Sequence, residues 1–160
     1  MVKINNFSRL VFSLLICQGF GLIGAFFTSP AIPSWYQNLE KPFFTPPSWL
    51  FAPAWITLYI LMGIALFLIW KKGLKEEKNE VAFLFFFIQL TLNSLWSILF
   101  FGLRSPFWAL IEIIILWIFI LITILKFFKI SKKSGWLMIP YITWVTFAGI
   151  LNFSIYYLNR

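Results

Sequence analysis

Five apolar runs divide this chain, each about 20 residues long, the length an α-helix needs to cross a bilayer. They extend roughly over Phe7 to Phe27, Trp49 to Trp70, Val81 to Phe101, Pro106 to Phe128 and Gly135 to Tyr157. In lipid only helices and closed barrels satisfy every backbone donor and acceptor, and these runs do not alternate as barrel strands would. The expected fold is therefore an all-α integral membrane protein, a five-transmembrane-helix bundle. It forms a single domain over residues 1–160, with one long loop at 28–48.

Composition narrows the chemistry. The chain is 61% hydrophobic and 11% charged, whereas soluble domains carry roughly 25% charged residues. Its formal net charge of +8 falls in short clusters between the apolar runs and forms no continuous basic face. That pattern suits anionic lipid headgroups and argues against nucleic acid. With no histidine and a single cysteine, Cys17, the chain offers no His-ligated metal site, no internal disulfide and no Ser-His-Asp or Cys-His arrangement. No metal is expected.

The helix ends carry recognisable signals. Ser105 followed by Pro106 reads as an N-cap with proline in the first turn. Asn79 and Glu80 can begin the third helix, and Lys71, Lys72 and Gly73 can end the second. Trp49, Trp70, Trp108 and Trp136 fall near helix ends, where indoles anchor at the interface. Lys3 and Arg9 precede an apolar run long enough to be a retained helix rather than a cleaved leader. Five crossings place Lys3, Arg9, Lys71, Lys72, Lys75, Lys78, Lys126, Lys129, Lys132 and Lys133 on one side, and Lys41, Arg104 and Arg160 on the other. The positive-inside rule then sets the N-terminus in the cytoplasm and the 28–48 loop on the opposite face.

Polar residues recur at helical spacing. Gln89, Asn93 and Trp96 or Ser97 form a stripe on the third helix. Trp144, Ala148, Asn152 and Tyr156 do so on the fifth, and Trp55, Tyr59 and Gly63 on the second. Amides in lipid need partners, so these faces should point into the bundle. They can act as interhelical glue, worth about 0.6 kcal/mol per contact on average, or line a chamber with flat, polarizable walls. Glu112 is the one acid well inside a run; it can sit near the headgroups, pair with Arg104, or serve a function. Gly21 and Ala25, with Gly24 beside them, permit a close helix contact.

The loop from 35 reads WYQNLEKPFFTPPSWLFAPAW and holds three tryptophans and four prolines. Together with FAPAWITLYILMG (51–63), LNSLWSILFFG (92–102) and PYITWVTFAGILNFSIYYLN (140–159), it resembles the TspO/MBR family, in collinear order over roughly residues 19 to 159. The resemblance implies a five-helix membrane bundle, commonly a homodimer, with a pocket among the helices lidded by the first loop. It implies protoporphyrin-type tetrapyrroles, and in some members sterols and benzodiazepine-like drugs, as ligands, with no cofactor required. Carried onto matching positions, the ligand-binding residues are Tyr36, Pro46, Trp55, Tyr59, Asn93, Trp96, Trp144, Ala148 and Leu151. Trp35, Lys41, Pro42 and Pro47 belong to the lid, where prolines stiffen a segment that cannot continue a helix. The same segment can instead be an interfacial anchor. Phe44 stands where the family often has tryptophan. A sterol pattern fits Leu151, Tyr156 and Arg160.

The function expected is a membrane receptor or sensor for tetrapyrroles and other flat hydrophobic ligands, in a bacterial cell membrane, with Lys41 at the mouth meeting a ligand carboxylate. The alternatives are light-dependent porphyrin degradation, for which Trp55 and Trp144 would be the redox-active residues, and a transporter of porphyrin or sterol. The orientation is testable in a Cys17→Ala background. A membrane-impermeant thiol reagent applied to intact cells should label Phe43→Cys and leave Lys72→Cys unlabelled; the reverse pattern would invert the topology.

Overall fold

The computed structural model describes residues 5–73 and 76–160, so Lys3 and Lys75 of the orientation count lie outside the described residues. Five long apolar helical segments are present: Asn6–Ser34, Ser48–Lys71, Glu77–Gly102, Pro106–Ile130 and Lys132–Leu158. Within them the α-helices are α1 (Asn6–Ser34), α2 (Phe51–Lys71), α3 (Glu77–Ser97), α4 (Pro106–Ile130), α5 (Lys132–Leu137) and α6 (Ile139–Leu158). Each of the five runs is long and apolar enough to cross a membrane.

Several ends differ from the sequence expectation, each for a local reason. The first helix does not stop at Phe27 but continues through Pro30 and Pro33 to Ser34. Each proline removes one amide hydrogen, which deprives only the carbonyl four residues earlier, Phe26 O and Ser29 O. The last turn still closes, with Ser34 Oγ donating to Pro30 O at 2.7 Å and Trp35 N to Ala31 O at 3.0 Å. The loop is therefore 35–50, opened and closed by 3₁₀ turns at Tyr36–Asn38 and Ser48–Leu50. The last run is interrupted: α5 ends before Met138, and α6 begins beside Pro140, which cannot donate back into the preceding turn. Ser105 makes no side-chain cap; its backbone carbonyl accepts from Ala109 N at 3.1 Å, with Pro106 in the first turn of α4. The third helix opens at Glu77, a turn earlier than expected, with Glu77 and Glu80 at its positive end. Lys71 and Lys72 do end α2, and Gly73 follows at φ +91°, a conformation that favours glycine.

Around the bundle the order is α1, α2, the α5–α6 pair, α4 and α3, which closes back on α1. The half of the bundle away from loop 35–50 is closely packed among the described residues. Phe86 and Phe127 stack at 5.6 Å there, among the fully buried Met62, Leu66, Ile69 and Ile120. Small residues allow the approach. A methyl on Gly63 would lie 3.0 Å from Leu14 Cα and 3.2 Å from Ser13 O. Gly21 admits the Tyr59 ring and Gly24 faces Ser97, so these small residues of α1 serve contacts inside the bundle, while Ala25 is exposed.

Overpacking against backbone costs about 1–3 kcal/mol. Gly63→Ala should therefore lower the thermal midpoint in detergent by several degrees, whereas Gly19→Ala, with nothing within 4 Å of the added carbon, should leave it unchanged or raised. Circular dichroism melts of the two variants decide this.

Candidate ligand cavity

At the loop end the helices part and leave a cavity of about 250 Å³. Its walls come from α1, α2, the end of α3 and α6. Tyr36, Trp55, Tyr59, Trp96, Trp144, Ala148 and Leu151 all line it. They derive from four separate segments, and no charged side chain is among the lining residues. Leu22, Ala25 and Ser29 of α1 and Ala52 and Ile56 of α2 line it too while remaining exposed, so the cavity opens along the α1–α2 seam.

Two asparagines set the walls. The Tyr59 hydroxyl donates to Asn93 Oδ1, and Asn93 Nδ2 donates to the Tyr141 hydroxyl at 2.9 Å. One buried amide thus ties α2, α3 and α6. Asn93 itself stands behind the wall and does not line the cavity. Trp96 Nε1 donates to Asn152 Oδ1 at 3.1 Å, and Asn152 Nδ2 to Pro106 O at 2.8 Å, joining α3, α6 and α4. The Trp96 indole is thereby held while its ring stacks on Phe100 at 5.2 Å.

A π-helical turn at Ile98–Gly102 supplies part of the wall. Its wide bond, Leu103 N to Ile98 O at 2.8 Å, inserts a residue and brings the consecutive rings of Phe100 and Phe101 inward. Both pack on Tyr36. Tyr36 is only 3% exposed, its hydroxyl meets no partner among the described residues, and burial pushes its pKa up to about 12. It therefore remains a neutral donor at physiological pH.

The loop divides by face. Trp35 packs edge-on against Phe100 at 5.6 Å and Phe44 against Phe147 at 6.3 Å, whereas Phe43 and Trp49 project outward. Lys41 does not reach out for a ligand carboxylate. Its three ammonium hydrogens go to the carbonyls of Tyr36 (2.8 Å), Gln37 (3.0 Å) and Leu39 (2.8 Å), so it is engaged by its own turn. Pro42 O accepts both the amide and the hydroxyl of Thr45. Pro47 precedes the 3₁₀ turn that enters α2, and Pro46 does not line the cavity.

Other expected groupings separate. Leu151 faces the cavity, Tyr156 packs on Phe107 at 5.5 Å, and Arg160 lies over the Tyr157 ring at 4.1 Å, so the sterol pattern forms no single surface. Glu112 is 5% exposed, and neither carboxyl oxygen has a partner among the described residues; it does not pair with Arg104. The Gln89 amide is likewise buried and unpartnered among them. No group of three or more potential metal ligands occurs among the described residues.

Sequence reasoning missed the contribution of α1, where Gln18, Thr28 and Ile32 also line the cavity. Its amide and small residues recur at Gln18, Gly21 and Ala25, a pattern that could have been read as an inward face. Phe100 and Phe101 had no such signal, because a regular helix would not turn two neighbouring rings the same way.

The TspO/MBR sequence profile matches residues 13–158, nearly the whole chain. The chain belongs to the TspO/MBR family. It is 48% identical over 154 residues to the tryptophan-rich protein TspO of Archaeoglobus fulgidus, covering 96% of this chain and 99% of that one. The corresponding protein of Chlorobaculum tepidum is 44% identical over 144 residues, 90% of this chain and 91% of that one. The translocator protein of Bos taurus is 37% identical over 150 residues, 93% and 88% of the two chains.

Within this family member, Asn93→Leu should leave the Tyr59 and Tyr141 hydroxyls unpaired. An unsatisfied buried group costs about 1–3 kcal/mol, and removing both partners of a bond is far milder. The thermal midpoint should fall for Asn93→Leu and partly recover when Tyr59→Phe is added. No recovery would show that the amide acts by shape alone.

Proposed function

We propose that the chain is a membrane receptor for flat, predominantly apolar ligands, with protoporphyrin-type tetrapyrroles as the leading class. It would lie in a bacterial cell membrane with its N-terminus in the cytoplasm, as a homodimer. The observation that carries the reading is the convergence of Trp55, Trp96 and Trp144 with Tyr59 on one charge-free cavity. Aromatic walls bind flat rings through burial and offset stacking, and sparse polar groups set orientation.

Size shapes the binding mode. Ligand pockets usually span about 300–1,000 Å³, and this one is slightly smaller. A tetrapyrrole would insert one edge among the indoles and leave the remainder along the open α1–α2 seam. Its carboxylates would stay at the mouth, since an ionised group inside this lining would have no partner.

The test is tryptophan fluorescence of the detergent-purified protein titrated with protoporphyrin. Quenching should saturate, and Trp144→Ala or Trp55→Ala should each weaken affinity about tenfold, as expected for losing a buried aromatic contact of some 1.5 kcal/mol. If both variants bind as the parent does, the ligand does not occupy this cavity.

A further inference from the structure

Among the described residues, loop 35–50 makes only two hydrogen bonds to the helices that follow α2, and one side chain supplies both. Asn159, immediately after α6, accepts from Glu40 N through Oδ1 at 3.0 Å and donates to Glu40 O through Nδ2 at 2.9 Å. The second hydrogen of the same amide goes to Ile155 O at 2.8 Å, which fixes the side chain to its own helix end. Asn159 thus presents to Glu40 the donor-and-acceptor pair that a neighbouring strand residue would present. The loop's other contacts with those helices are apolar, with ring packings of Trp35 on Phe100, of Tyr36 on Phe100 and Phe101 and of Phe44 on Phe147 among them. Such packings are non-directional and tolerate sliding. Two bonds to the backbone of one residue do not, because both weaken steeply once Glu40 shifts out of hydrogen-bond distance.

The position matters for access. Phe147, beneath Phe44, lines the cavity, and so does Tyr36 at the other end of the tied segment. Lys41 knots residues 36–41 into one compact turn through its three carbonyl bonds. A tie at Glu40 therefore holds the whole turn, not one residue. We propose that Asn159 is the latch of the loop, a positioning residue that sets how often the cavity uncovers and hence how fast a ligand enters and leaves. This rests on the cavity being the ligand site.

Hydrogen exchange of the full-length protein in detergent, read by mass spectrometry, tests the latch without any ligand. In Asn159→Ala, peptides covering residues 36–47 should exchange about fivefold to tenfold faster, the factor expected for losing one net hydrogen bond. Peptides from α2 to α4 should be unchanged. Asn159→Asp, which keeps the acceptor and loses the donor, should fall between and serves if the alanine variant does not fold. Glu40→Ala should match the parent, because the bonds are to the Glu40 backbone. Stopped-flow quenching with protoporphyrin should then show both association and dissociation accelerated severalfold in Asn159→Ala, with the equilibrium affinity nearly constant. Unchanged loop exchange overturns the latch. Faster exchange with unchanged binding rates overturns its control of access. Absence of quenching in the parent refutes the receptor reading instead and leaves the exchange result to decide the latch.

Discussion

The Asn93 amide has its oxygen engaged by Tyr59 and its nitrogen by Tyr141, at a depth where neither water nor backbone offers a substitute. In a membrane bundle the helices gain little from excluding lipid, since the tails are as apolar as the side chains. Directional bonds and close packing must then fix the relative rotation of the helices. Asn93 does this for α2, α3 and α6, and Asn152 does it for α3, α4 and α6 one level nearer the loop. Together they hold Tyr59 and Trp96 upright as cavity walls. The amides are glue, as a bland reading of the stripes would have it, and the glue is what keeps the chamber open.

The contrast between the two halves of the bundle follows from side-chain size and helix separation. Where Gly63 lets α1 touch α2 backbone to backbone, rings such as Phe86 and Phe127 fill the remaining space. Towards the loop the small residues lie on α1, where Gly21 meets the hydrogen-bonded Tyr59 ring and Gly24 meets Ser97, and the remaining walls are aromatic rings. Rings held in this way cannot collapse inward, so space persists. The uncharged lining means that what enters is selected by shape and apolar surface, with the phenol of Tyr36, the amides of Gln18 and Asn152 and a few hydroxyls among the polar features.

Much of this was legible beforehand. Five runs of bilayer length on a chain nearly free of interior charge leave little freedom in fold class, because lipid admits no unpaired backbone. Helical spacing identified the inward faces of α2, α3 and α6, since a side chain's direction on a helix is set by local geometry. The bonds of Lys41 were not legible, because a lone cation in an aromatic loop gives no sign that three carbonyls of its own turn await it. The loop was expected to begin at 28, where the apolar run ends; the helix instead runs on through Pro30 and Pro33 to Ser34, because each proline costs a single bond and the last turn still closes.

The amino-acid order alone thus determined the number of spanning helices, their inward faces and the family, all consequences of length, period and motif. Only the tertiary structure decided that Asn93 stands behind the wall rather than in it, that a π turn aims two adjacent phenylalanines together, and that the far end of the chain fastens the loop through Asn159 and Glu40. The reason is range. Period and capping act over a few residues, whereas these contacts join positions 48 to 119 residues apart, or depend on one inserted residue in a turn. Their partners become known only once the helices are packed.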